Sequence, residues 1–175
     1  MSSRHGVDHA LPANWTTYRI LCCTPPDLEQ ERCALNAVNA QFAERVTMPE
    51  WILFALASFR AGVDPRTYRP AIESNTRFCD FFVTVFGERS PDPMFRELVE
   101  YALTCTADPA FPMRSVVALF RNPEDAAEEM VALRKSLLEG GRCDVRDFHN
   151  REELDREFGD VLAAWHALIQ PRPPA

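Results

Sequence analysis

Five short apolar runs, rich in β-branched and aromatic residues, alternate along this chain with five longer segments of helical period. No other feature restricts the fold as much. A strand followed by a crossover helix and another strand builds a parallel sheet, and parallel sheets bury both faces under helices. The spacing predicts strands over 17–23, 51–59, 80–87, 115–120 and 143–148. Asp80 to Gly87, with Phe81-Phe82-Val83-Thr84-Val85-Phe86 between them, has the composition of a central strand. The unbroken apolar run after Trp51 suits a strand covered on both faces.

The intervening segments carry helix signals. After Thr24-Pro25-Pro26, Asp27 is a predicted N-cap, and Gln30 three residues on would complete a capping box. Leu28, Leu35, Val38, Phe42 and Val46 then form one apolar stripe, which stops near Met48-Pro49. A turn at 62–65 leads to a weaker helix over 70–78. Met94, Phe95, Leu98, Tyr101, Ala102 and Cys105 give the third helix its apolar face. Pro123, after Asn122, is placed at the first position of a fourth helix, ended by Gly140-Gly141. The fifth starts near Asn150. The predicted organisation is an arm at 1–14, one doubly wound α/β domain at 15–170 and a Pro-rich tail at 171–175.

Composition excludes several classes of function. The net charge is −7 and the chain has a single lysine, Lys135, so neither a nucleic-acid surface nor a polybasic membrane patch is expected. No run approaches the roughly 20 apolar residues that cross a bilayer. The opening residues lack the apolar core of a secretory signal, so the predicted location is the cytoplasm. Of six cysteines, Cys22 and Cys23 adjoin and the others are scattered without a C-x-x-C pair. Structural thiols are expected, with no metal. Neither a G-x-G-x-x-G cradle nor a phosphate-binding G-x-x-x-x-G-K-[ST] loop follows any strand, and no cofactor is expected.

In an open parallel sheet the strand-to-helix loops gather on one edge, and ligands bind there, where the strand order reverses. That edge is predicted to hold Thr24 to Asp27, Ser58 to Tyr68, Gly87 to Asp92, Arg121-Asn122 and His149. Thr24, Pro25, Ser58, Gly87 and Arg89 are the candidate ligand-binding residues. Arg60, Arg66, Arg89 and Arg121 would give an acidic protein a local cationic rim for a phosphate or carboxylate. Glu97 lies near the start of the helix that opens onto this edge. A carboxylate there would stabilise an oxocarbenium-like transition state, or simply complement the helix dipole.

Thr24-Pro25-Pro26-Asp27-Leu28-Glu29-Gln30-Glu31-Arg32 resembles the opening loop and helix of a bacterial TIR-like domain family found ahead of STAND-type signalling NTPases. Cys79-Asp80, the strand after it and Gly87-Glu88-Arg89 are similar to that family's second signature. Glu97 to Ala102 and Asp147 to Leu154 resemble its later helix start and closing strand and helix. The likeness spans most of 17–168. It implies a flavodoxin-like, five-stranded parallel sheet and a signalling or defence-associated domain that takes a nucleotide-like ligand or a partner protein and assembles with copies of itself. More distant relatives, TIR domains and nucleoside deoxyribosyltransferases, imply an alternative: an N-glycosidase or nucleoside/NAD hydrolase with Glu97 as the catalytic carboxylate. Here Met94-Phe95 stands where the transferases have Gly-Thr, and Glu100 is a rival match. A purely structural interaction domain is the third reading.

Overall fold

The structure, a computed structural model, describes residues 15–58, 65–90 and 93–170. The arm at 1–14, the turn residues 62–64 and the tail at 171–175 lie outside the described residues. Five parallel strands, β1 (Thr16–Cys23), β2 (Ile52–Ser58), β3 (Phe81–Phe86), β4 (Ser115–Arg121) and β5 (Asp144–Phe148), form one sheet in the order 2-1-3-4-5. Helices α1 (Glu29–Phe42), α2 (Pro65–Thr76), α3 (Pro93–Ala107), α4 (Glu128–Gly140) and α5 (Arg151–Ile169) connect and flank them. This is the doubly wound sheet that the alternation predicts, in the flavodoxin-like order that the resemblance implies.

Side-chain alternation on the central strands divides the core in two. Ile20, Val83, Val85, Val117 and Leu119 face α1 and α5, where Leu35, Phe158 and Trp165 cover them. Leu21, Phe82, Phe86, Val116 and Phe120 face the other way, onto Ile72, Val99, Ala102 and Leu133 of α2, α3 and α4. All six residues of β3 are buried, as befits the middle strand. Trp165 stacks on Phe81 with ring centroids 4.5 Å apart. Each such side chain contributes about 1.5–3 kcal/mol by leaving water.

Local chemistry moves several boundaries. The capping box of Asp27 and Gln30 does not form: Pro26–Leu28 makes a tight 3-10 turn, closed by the Leu28 N–H donating to the Pro25 carbonyl (3.1 Å), and α1 starts at Glu29 without a side-chain cap. Beyond Phe42 the backbone widens into a π turn, Ala43–Thr47, then tightens at Met48–Glu50. Trp51 is not in the second strand. It turns left-handed (φ 60°), closing the Met48–Glu50 turn. The second helix starts at Pro65 rather than Pro70, because a proline fits a first turn and the burial of Ile72 and Thr76 outweighs the bond lost at Pro70.

The fourth helix starts at Glu128, five residues after the predicted Pro123. Asn122 takes a left-handed φ of 44°, and the Ala127 N–H donates to the Glu88 carbonyl (2.8 Å), so this segment is spent on a turn docked against the β3–α3 loop. Two predicted helix ends stand where expected, each with a cap. Asn150 accepts the Glu153 N–H, and Gly141, at φ 62°, ends α4.

Candidate functional site

The order 2-1-3-4-5 reverses between β1 and β3, so the ligand crevice of this fold class belongs between the loops after those two strands. Thr24, Pro25 and Gly87 are there, all buried; Ser58 ends β2, half-buried, and Arg89 is exposed. The sequence therefore brings the candidate residues to one edge. Between Thr24 and Gly87, the Leu28 side chain packs over the glycine. Leu28 is fully buried, and a Cβ added at Gly87 would lie 3.2 Å from its Cδ2, so the leucine fills the space above the glycine. Thr24 Oγ1 is shielded from solvent and has no oxygen or nitrogen hydrogen-bond partner among the described residues.

Arg121, at the end of β4, organises the next part of the edge. Its Nε and Nη2 donate to the two oxygens of Glu88 (3.0 and 2.9 Å), a bidentate pair, and Nη1 reaches Glu31 Oε1 on α1 (2.5 Å). Asn122 Nδ2 donates to Glu88 Oε1 at 2.8 Å. The left-handed backbone at Asn122 thus serves to aim its amide. Donation from Arg121, with Asn122 adding to it, holds the Glu88 carboxyl at about 2, and the same carboxylates raise the Arg121 guanidinium further. Arg121 is thus part of no free cationic rim: two carboxylates compensate its charge. Arg60 lies outside the described residues, and nothing is described of the Arg66 side chain.

Beside this cluster a pocket of about 290 Å³ opens between the first turn of α1, the ends of β4 and β5 and the start of α5. Phe148 and Leu154, both buried, give it an apolar base. Gln30, Glu31, Arg121, His149, Asn150 and Arg151 supply its polar lining. His149 Nδ1 lies 3.0 Å from Glu124 Oε1, and Glu153 accepts the His149 backbone N–H at 2.8 Å, which fixes the loop at the pocket mouth. Arg151 pairs with Asp155, four residues on in the same exposed helix turn (2.6 Å).

Glu97 and Glu100 stand elsewhere. Both are exposed on α3, Glu100 paired with Arg96 at 3.1 Å, and neither lines this pocket. The sequence reading missed Gln30, Glu31 and Arg151 as site residues, and it placed Glu88 on the edge only as part of the segment Gly87 to Asp92. Arg121 directly follows Phe120 and Glu88 stands two residues after Phe86, so their pairing follows once β3 and β4 are neighbours. His166 Nε2 meets Glu50 Oε2 at 2.8 Å, tying α5 to the turn before β2.

Five of the six cysteines are buried and Cys33 is exposed. Burial pushes the thiols of Cys22 and Cys79 up to about 11 and that of Cys143 to about 12, which suits packing rather than nucleophilic chemistry. Among the described residues no cluster of His, Cys, Asp or Glu is arranged to hold a metal ion, and no helix is long and apolar enough to cross a membrane. Comparison with known protein families and with curated proteins finds no match.

Proposed function

We propose that this chain is a TIR-like signalling domain that binds a nucleotide-like small molecule, and that the ligand enters the pocket between α1, β4, β5 and α5. The observation that carries the reading is the pocket itself. It lies at the carboxyl edge of a doubly wound sheet, combines an apolar base with a polar wall, and has nearly the volume of the smaller ligand sites, which begin at about 300 Å³. A heterocycle would rest on Phe148 and Leu154. Gln30 offers an amide to its polar edge, and Arg151 and His149 offer donors to an anionic group. The resemblance in Thr24 to Arg32 supports the same assignment, because Gln30 and Glu31 belong to that segment.

Calorimetric titration with a panel of nucleosides, nucleotides and NAD tests this. Gln30→Ala and Arg151→Ala change exposed side chains and leave the core intact. Each is expected to weaken binding about tenfold, the usual effect of losing one hydrogen bond to a charged or polar ligand group. Absence of heat with every member of the panel, or binding that both variants leave unchanged, would overturn the assignment.

A further inference from the structure

We propose that the outer edge of β2 is a self-association surface, on which a second copy of this chain pairs its own β2 antiparallel about a two-fold axis near Ala55. The two edges of the sheet differ in a way that the fold alone does not require. At β5, the edge carries Asp144, Arg146 and Asp147, engaged with one another and with Glu157 and Arg134, and such charges discourage pairing. At β2 the strand reads Ile-Leu-Phe-Ala-Leu-Ala-Ser, with no charge in seven residues, and among the described residues no strand pairs with its outer side. In a chain of net charge −7, two copies repel over most of their surface, and an uncharged strip is where they can meet.

The strip continues into exposed apolar side chains. Met48, Trp51 and Leu53 are 42%, 50% and 38% exposed, and they adjoin at the start of the strand. Trp51 also holds a left-handed backbone, costly for a bulky residue, and that conformation leaves its ring at the surface against the edge of Trp15 (5.5 Å).

The sequence of β2 is complementary to itself. About a two-fold axis at Ala55, Leu53 lies opposite the second copy's Ala57, and Phe54 opposite its Leu56. On the first of these faces Leu53 and Ala57 are exposed and Ala55 half-buried, in register with Thr17, Arg19 and Leu21 of β1. A large side chain thus meets a small one at each end, and two alanines meet at the axis, where backbones approach most closely. An antiparallel pair about a two-fold axis uses the same edge of both copies, so the contact closes as a dimer. The product is a ten-stranded sheet.

Light scattering of the full chain across a concentration series, with Leu53→Lys beside the wild type, tests the surface. The wild type is expected to shift to dimer mass as concentration rises, and Leu53→Lys, at an exposed position, to remain a monomer with an unchanged circular dichroism spectrum. Register is read separately. In a Cys33→Ser background, Ala55→Cys is expected to form a disulfide dimer on mild oxidation, because opposed residues of an antiparallel pair lie within the 4.4–6.8 Å Cα range of disulfides. A wild type that stays monomeric throughout, or a dimer that Leu53→Lys leaves intact, overturns the surface. A dimer lost in Leu53→Lys but not cross-linked through position 55 overturns the register.

Discussion

Replacing Glu88 by glutamine removes one charge from the Arg121 cluster while keeping its shape, and the consequence can be worked out. The folded protein holds the Glu88 carboxyl at about 2 against an ordinary value of 4.5, chiefly because Arg121 donates to both of its oxygens. That difference corresponds to roughly 3 kcal/mol of preference for the ionised form, at about 1.4 kcal/mol per tenfold change in proton affinity. The Glu88 side chain is 29% exposed, so solvent screening reduces the retained stabilisation to about 1–2 kcal/mol. The sign follows from linkage. A carboxyl with a depressed folded value stabilises fully above about 4.5, where the unfolded chain is also ionised, and the contribution is lost as the pH falls toward about 2.

Urea unfolding of wild type and Glu88→Gln at pH 7, 4 and 2.5 measures this. At pH 7 the variant is expected to be about 1–2 kcal/mol less stable, and the gap to narrow steadily toward the lowest pH. A gap of equal size at all three values would refute the argument, since it would mean that glutamine disturbs packing rather than charge. A gap that widens on acidification would refute the sign.

Three further outcomes are expected. Gly87→Val places methyl groups where Leu28 already sits, and overpacking of this kind costs about 1–3 kcal/mol, visible as a lower midpoint in thermal unfolding. Asn150→Ala removes the acceptor for the Glu153 N–H and is expected to cost about 1 kcal/mol by the same measurement, whereas Asn150→Ser is expected to cost little. Thiol titration with an aromatic disulfide reagent is expected to label Cys33 quickly in the native protein and all six cysteines only after unfolding; rapid labelling of a second thiol would contradict the burial of the other five.

The sheet was legible because its signal is redundant. Each strand repeats the same composition, and β3 in particular has no polar residue except Thr84 between Phe81 and Phe86. The misplaced boundaries occur where one residue answers to a partner far along the chain. Asn122 and Pro123 read locally as a helix start, but Asn122 is turned left-handed toward Glu88, and Ala127 is tied to the Glu88 carbonyl. Asp27 reads as a cap until Pro26 commits the backbone to a tighter turn.

The edge of the sheet was legible for a further reason, since every β-to-α loop must arrive there. Which of those loops leave an opening depends on side-chain volume. Leu28 packs over Gly87 at the strand-order reversal, and a pocket opens beside the ends of β4 and β5, a placement that no spacing rule contains.

The Arg121 cluster has a temporal side. Its two carboxylate partners lie far from it in the chain: Glu31 is 90 residues before Arg121, and Glu88 is 33. A ribosome releasing this polypeptide delivers both carboxylates, on α1 and after β3, well before the guanidinium that compensates them. Addition of β4 does more than widen the sheet: its Arg121 compensates both carboxylates and ties together the ends of β1, β3 and β4, neighbours in the sheet though not successive in the chain, so the carboxyl edge gains these ties only once the fourth strand is in place.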